Sequence, residues 1–419
     1  VAHYKYIILG GGVTAGYAAQ EFVKQGVKPG ELCIISAENW LPYDRPPLSK
    51  GVLQGKKPIE KALINDAEFY RTNGIDTRLV TRIAETDLRN KTLRAENGED
   101  FTFDNLLIAT GSRVRQLNSP GADLGGVFYL RTTEDNQKIV AAAKKGQNAV
   151  IIGGSFIGSE VAASLTQRDV KVTMVFPDEH LMQGKPHTPE MSAFFESYFR
   201  ERGVGILAGE KVASLKGDGM VSTVVLESGR ELPADFVVAG VGVQLNTDLF
   251  EGSPLHIDDG ILVDEYLETN VPGVYAAGDI ARYPDKIFDK PRRVEHWDNA
   301  QQQGMYWARL MFAGKERQPF VHVPYFFSDV FDLSWEYWGD SKEGDTVVYR
   351  GDVTSPSFSA WWLKGDRVMA AFVMARPDAE RDAAQALIES GQSISAAALR
   401  DEKQPLPTPE PSTSTDTQG

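Results

Sequence analysis

Short apolar runs broken by glycine recur along the chain. Tyr6-Ile7-Ile8-Leu9 reads as a strand buried on both faces, Gly10-Gly11-Gly12 interrupts it, and residues 15–24 carry a helical period. Leu32-Cys33-Ile34-Ile35 reads as the next strand. The same order returns at Ala149-Val150-Ile151-Ile152, Gly153-Gly154, residues 157–166 and Lys171-Val172-Thr173-Met174-Val175-Phe176. Two widely spaced strand–glycine–helix–strand units predict two nucleotide-binding domains rather than a short-period repeat. A strand-rich stretch, residues 76–115, closes the first unit through Leu106-Leu107-Ile108-Ala109-Thr110-Gly111, and Phe236-Val237-Val238-Ala239-Gly240 closes the second.

The glycine-and-strand style resumes around Val274-Tyr275-Ala276-Ala277-Gly278-Asp279. Beyond His322 the chain is rich in aromatic residues, and alternation over residues 346–351, 357–363 and 367–373 predicts a small antiparallel sheet, then a helix over 379–389. The expected fold class is α/β: two Rossmann-like dinucleotide-binding domains of three-layer ββα type, plus a C-terminal α+β interface domain. The expected boundaries are 1–115 with 248–322 for the first domain, 116–247 for the second and 323–403 for the third. Residues 404–419, dominated by Pro, Ser and Thr, are expected to form a disordered tail, because they cannot bury enough apolar surface to offset chain entropy.

Composition narrows the function. A length of 419 residues calls for two or three domains, and 42% hydrophobic with 24% charged residues is globular composition. No apolar run is long enough to span a bilayer. The first residues enter a strand pattern without a signal-peptide layout before it, and the single cysteine fits a reducing, cytoplasm-like location. A single cysteine, Cys33, excludes a redox-active pair, a cysteine-rich zinc site and a cysteine-held iron–sulfur cluster within the chain, and no metal is expected. A net charge of −14 argues against nucleic-acid binding.

Gly10-x-Gly12-x-x-Ala15, after a strand and before a helix, is a dinucleotide-binding fingerprint in its Ala-ended form. The first glycine makes the turn, the second lets backbone approach a pyrophosphate, and the small third residue lets helix and strand pack. Glu38 ends the second strand, where an acid holds a ribose. The second fingerprint, Gly153-x-Ser155-x-x-Gly158, carries Ser in place of the middle glycine. That hydroxyl either bonds a phosphate or pushes the dinucleotide outward. Asp178 or Glu179, at the end of the following strand, accepts hydrogen bonds from a free 2′-hydroxyl and repels a 2′-phosphate, so NADH is favoured over NADPH. Gly278-Asp279 at a strand end is, alone, the mark of a turn; with both fingerprints and the Ala109-Thr110-Gly111 strand end it points to a flavin's ribityl chain.

With these motifs, and with Pro42-Tyr43-Asp44-Arg45-Pro46-Pro47-Leu48-Ser49-Lys50, the chain resembles flavoproteins of the ferredoxin-reductase type. That group takes in ferredoxin and rubredoxin reductases, monodehydroascorbate reductases and apoptosis-inducing-factor-like proteins. The resemblance implies FAD in the first domain, NAD(P)H in the second and an interface domain over the flavin. It implies Glu38 on the adenosine ribose, Arg45 on the flavin's phosphate or ring edge, and Lys50 near flavin N5, paired with Glu160. It implies Thr110, Gly111, Gly242, Gly278 and Asp279 in cofactor binding. Glu295, His296 and Trp297, where a helix begins, would bring N–H groups to the pyrimidine edge of the flavin, favouring the charge that edge gains on reduction. Lys50, Glu160 and Trp297 are the expected catalytic residues.

The detailed match is nearest to monodehydroascorbate reductases, with two departures: Gln301 stands where plant members place an Arg, and Phe327 where they place a Tyr. The acceptor side is expected at Arg292, Arg293, Gln301, Tyr325 and Phe327, with Arg292 or Arg293 substituting for the missing cation. Without a cysteine pair, electrons must leave from the flavin edge, which suits a one-electron acceptor. Three readings follow: an NADH-dependent reductase of a small radical such as monodehydroascorbate; a reductase passing electrons to a small iron–sulfur protein by way of a basic patch at Arg292, Arg293 and Arg309; and a slow redox-sensing flavoprotein. Oligomeric state is not legible.

Overall fold

The strand Ala2–Leu9 lies inside the first, mixed sheet, pairing in parallel with Leu32–Ile35 on one side and Asp100–Ile108 on the other. In this register Ile8 lies beside Ile34 and Leu107, and all three are fully buried, which is why these strands read as unbroken apolar runs. The computed structural model describes residues 1–407 apart from residue 185. The chain forms two compact units.

The first unit comprises Val1–Pro47, Pro58–Arg113 and Val243–His322. Its sheet runs Asp76–Arg78, Leu32–Ile35, Ala2–Leu9, Asp100–Ile108, Thr92–Ala95, Ile83–Asp87, with Val274–Ala276 also pairing with Asp100–Ile108. The helices Val13–Lys24 and Trp297–Leu310 pack together on one face through Ala15, Ala18, Ala19, Phe22, Trp307 and Ala308.

The second unit comprises Leu48–Lys57, Val114–Gly242 and Val323–Gly419, of which the described residues end at 407. Its parallel sheet runs Gly205–Ala208, Lys171–Phe176, Asn148–Ile152, Phe236–Ala239, Val127–Phe128. One face carries a three-stranded antiparallel sheet, Val212–Asp218, Met220–Leu226 and Glu231–Pro233, which packs Val224, Leu226 and Leu232 against Val150, Ile152 and Val237. The other face carries the helices Phe156–Thr166 and Pro189–Glu201. A five-stranded antiparallel sheet follows, in the order Tyr325–Val330, Leu333–Gly339, Arg367–Met374, Phe358–Lys364, Thr346–Gly351, with the helix Asp378–Ser390 against it.

Residues 116–247 and 323–403 fall in one compact unit, in which Met191, Phe195 and Phe199 of the nucleotide-fold half share an apolar core with Trp335, Phe358 and Phe372 of the antiparallel sheet. Residues 48–57, expected with the first domain, belong to the second unit. Leu53 is buried in that core, Asn136 donates to the Leu48 carbonyl at 2.7 Å, Ser164 to the Ser49 carbonyl at 2.7 Å and Arg168 to the Leu53 carbonyl at 3.0 Å.

The start of the expected tail is also docked. The buried Arg350 guanidinium, paired with Glu380, donates to the carbonyls of Leu399, Asp401 and Gln404, and Leu406 is buried. Residues 408–419 of that expected tail lie outside the described residues. Among the described residues no helix is long and apolar enough to cross a membrane.

Candidate functional site

In the first unit, Gly10 sits at φ +131°, where a side chain is strained, and a Cβ there would lie 2.1 Å from the Ala109 carbonyl oxygen. The turn leads into Gly12, the N-cap of Val13–Lys24, which has no side-chain cap. Nothing lies within 4 Å of where a Gly12 Cβ would stand, and Ala15 behind it is fully buried. An uncapped helix start facing open space, with N–H groups to offer, suits a pyrophosphate.

At the end of Leu32–Ile35, the Glu38 carboxylate accepts from Tyr43 Oη at 2.5 Å and from Arg45 at 2.7 Å, and Arg45 also donates to Tyr43 Oη at 2.7 Å. Two residues expected at the cofactor are thus brought together. Thr110 and Asn246 exchange hydrogen bonds at 3.1 and 2.7 Å beside Gly111. The Asp279 carboxylate accepts from Ser112 Oγ at 2.7 Å, at a single helical turn, Gly278–Ile280.

Trp297 opens the helix Trp297–Leu310, whose N-cap His296 makes no side-chain cap. The Trp297 indole donates to Asp44 Oδ1 at 2.7 Å, and Tyr17 meets that indole edge-on at 5.9 Å while its hydroxyl reaches Asp44 Oδ2 at 3.4 Å. Burial raises the Asp44 pKa above its ordinary value against the two hydrogen bonds, and burial beside Asp44 pushes Tyr17 up to about 12.

In the second unit, Gly153 at φ +122° repeats the turn, where a Cβ would lie 2.3 Å from the Gly240 carbonyl oxygen. A Cβ on Gly158 would meet the Gly153 carbonyl oxygen at 2.4 Å, so the third glycine sets the close approach of helix and strand. Ser155 is the exposed N-cap of Phe156–Thr166, and its hydroxyl makes no capping bond. Asp178 and Glu179 are exposed just beyond Lys171–Phe176. Gly242 accepts from the Arg115 N–H at 3.0 Å on an exposed turn.

The same unit joins Lys50 and Glu160. The ammonium lies 2.8 Å from Glu160 Oε1, with the side chains 13% and 3% exposed. Ser328 Oγ donates to Oε1 at 2.6 Å and Ser49 Oγ to Oε2 at 2.5 Å. A buried carboxylate with both oxygens bonded is the arrangement that tolerates removal from water. Lys50 also stands over the Phe327 ring at 5.3 Å, and Tyr325 on the same side of the strand donates to Glu336 at 2.8 Å.

The expected substitute cations are otherwise engaged. Arg292 pairs with buried Asp285 at 3.2 Å and covers the Phe288 ring, and Arg293 bridges Asp259 at 3.1 Å and Glu295 at 2.5 Å. Each guanidinium meets a carboxylate within reach, so these two do not make the basic patch expected from sequence. Arg309 is half-exposed and faces Glu21 at 3.7 Å. Gln301 is partly buried in the first unit, whereas Tyr325 and Phe327 belong to the second. Ser49, Ser328, Tyr43 and Asp44 were not singled out from sequence, although Ser49 and Asp44 lie inside the Pro42-to-Lys50 motif and Ser328 follows Phe327.

The pattern of the pyridine nucleotide-disulphide oxidoreductases matches residues 4–304, well over half of the chain, and a reductase C-terminal pattern matches residues 325–408. The chain belongs to the pyridine nucleotide-disulphide oxidoreductase family. It is an NAD(P)H-dependent FAD oxidoreductase. It is 41% identical to monodehydroascorbate reductase from Pisum sativum over 397 residues, which cover 89% of this chain and 91% of that one. It is 41% identical to the cytosolic monodehydroascorbate reductase 4 from Oryza sativa subsp. japonica, covering 88% and 90%. Among solved structures, a chain of the covalent putidaredoxin reductase–putidaredoxin complex superposes with a TM-score of 0.90 at 29% identity, covering 96% of each chain. The ferredoxin reductase for the CYP199A2 system from Rhodopseudomonas palustris gives 0.88 at 29% identity, covering 95% and 98%. The family's name refers to a disulphide, but this chain has one cysteine, Cys33, buried in a strand, with its thiol pushed up to about 12 by burial.

Proposed function

We propose that this family member takes hydride from NADH and passes the electrons singly to a small radical, with monodehydroascorbate as the acceptor. The observation that carries the reading is the buried Lys50–Glu160 pair, in a chain without a second cysteine. FAD, once bound, accepts a hydride and releases electrons one at a time. The first unit suits that cofactor: an uncapped helix start at Gly12 for the pyrophosphate, Glu38 and Arg45 for the adenosine side, Asp279 for the ribityl chain, and Thr110, Gly111 and Gly278 for close backbone approach. Glu295, His296 and Trp297 are assigned to the pyrimidine edge.

Gly153, Ser155 and Gly158 are assigned to the NADH pyrophosphate, with Gly242 beside them and Asp178 or Glu179 on the adenosine ribose. Exposed carboxylates at that strand end repel a 2′-phosphate and favour NADH. Lys50 steers the nicotinamide, held by Glu160. Residues 1–115 with 248–322 then serve FAD, 116–247 NADH, and the C-terminal sheet the acceptor through Tyr325 and Phe327. A reducing, cytoplasm-like compartment fits a single buried thiol.

A second reading, delivery to a small iron–sulfur protein, draws on the structural likeness to the putidaredoxin and ferredoxin reductases. The test is NADH oxidation with monodehydroascorbate generated in the cuvette, beside ferricyanide. Turnover with both supports the radical reductase. Ferricyanide turnover without the radical rejects it in favour of the second reading.

A further inference from the structure

Glu160, in Phe156–Thr166, is held by residues from two other stretches of the second unit: Lys50 and Ser49 from the 48–57 segment, and Ser328 from Tyr325–Val330. The two hydroxyls take different oxygens, Ser49 on Oε2 and Ser328 on Oε1, and Lys50 shares Oε1 with Ser328. With a donor on each oxygen, rotation of the carboxylate about its last bond breaks a hydrogen bond whichever way it turns. Ser328 is 1% exposed, so its hydroxyl is shielded from bulk water.

Successive residues of a strand point to opposite faces. Ser328 therefore addresses Glu160, while its neighbour Phe327 carries the Lys50 ammonium over its ring. One strand touches Lys50 twice, directly through a ring and indirectly through a carboxylate.

We infer that Ser328 is a positioning residue for the hydride step: by fixing the Glu160 carboxylate it holds the Lys50 ammonium at one point and ties that point to the register of the strand bearing Phe327. The inference rests on the proposed role of Lys50 in that step. Losing the hydroxyl leaves Oε2 on Ser49 and Oε1 on the Lys50 ammonium alone, so the Oε1–Lys50 pair is no longer tied to the strand and can shift together, and loose placement of a steering group slows reaction without weakening substrate binding.

The test compares Ser328→Ala with Ser359→Ala in the full-length flavoprotein. Ser359 is a fully buried hydroxyl of the same sheet that donates to Glu380 at 2.8 Å, so it controls for loss of a buried hydroxyl–carboxylate bond. The first readout is reductive methylation of Lys50 by formaldehyde and cyanoborohydride, followed by mass spectrometry. Ser328→Ala should be labelled several-fold faster than the parent protein, and Ser359→Ala at the parent rate.

The second readout is flavin bleaching by NADH in an anaerobic stopped flow. Ser328→Ala should slow the limiting rate by about tenfold, with the half-saturating NADH concentration unchanged. Ser328→Cys, whose bulkier thiol is a weaker donor, should fall between the two. Labelling and bleaching of Ser328→Ala equal to the parent would overturn the inference. A parent protein whose flavin NADH does not bleach would instead overturn the proposed function.

Discussion

The imidazole of His187 lies flat against the ring of Phe195, 4.8 Å between centroids and 13° between planes. Phe156, Trp335 and Phe372 meet it edge-on, and neither ring nitrogen has a hydrogen-bond partner among the described residues. Burial lowers its pKa from 6.5 to about 3, so the ring is neutral in the folded protein.

A depressed histidine pKa means the unfolded chain binds the proton more tightly. The stability His187 contributes is full above pH 6.5 and is lost progressively as pH falls from there toward 3. The protein should be about 2 kcal/mol less stable at pH 5 than at pH 7 on this account. Urea unfolding of His187→Phe at the two pH values should show that difference shrink. An undiminished difference would assign the acid sensitivity elsewhere.

Lys50→Met strands the Glu160 carboxylate without its counter-ion in a buried site. Breaking such a pair costs about 3–5 kcal/mol, so the denaturant midpoint should fall sharply. Lys50→Met combined with Glu160→Leu, which removes both charges, should recover much of that loss while flavin reduction by NADH stays slow.

Asp279→Ala removes the carboxylate that accepts from Ser112 and is assigned to the ribityl chain. The variant should purify depleted of FAD, read from the ratio of flavin to protein absorbance. A full complement would remove Asp279 from the cofactor site.

Glu179→Arg replaces an exposed carboxylate with a group suited to phosphate. A charge-assisted bond contributes about 1.5–3 kcal/mol, so kcat/KM for NADPH should rise by about tenfold or more relative to NADH. No change would move the discrimination to Asp178.

Gln301→Arg with Phe327→Tyr adds a cation and a hydroxyl at two positions assigned to the acceptor side. KM for monodehydroascorbate should fall by about tenfold, with ferricyanide turnover unchanged. An unaffected KM would show that the acceptor is bound by other groups.

The βαβ units and their glycine turns were legible because their causes are local. Gly10 and Gly153 are required by the φ of their own residue and a carbonyl one strand away, and the apolar runs by burial on both faces of a parallel sheet. The pairing of Lys50 with Glu160 came from resemblance to known flavoproteins, not from spacing. The three-stranded sheet over residues 212–233 and the helix Thr133–Ala142 are not legible in the sequence, since their short amphipathic patterns carry weak periodicity.

The sequence by itself therefore determined two dinucleotide folds, a C-terminal antiparallel sheet and a chain without a disulphide route, since each rests on residue type and near-neighbour spacing. Tertiary structure alone decided that residues 48–57 pack with the second unit, that Arg292 and Arg293 are matched by carboxylates, and that Ser49 and Ser328 close around Glu160. The packing of residues 48–57 and the closure around Glu160 join segments far apart in the chain, and Arg292 meets Asp285 across a hairpin. They are set by which apolar surfaces share a core and by the need of each buried charge for a partner, and no local pattern encodes either.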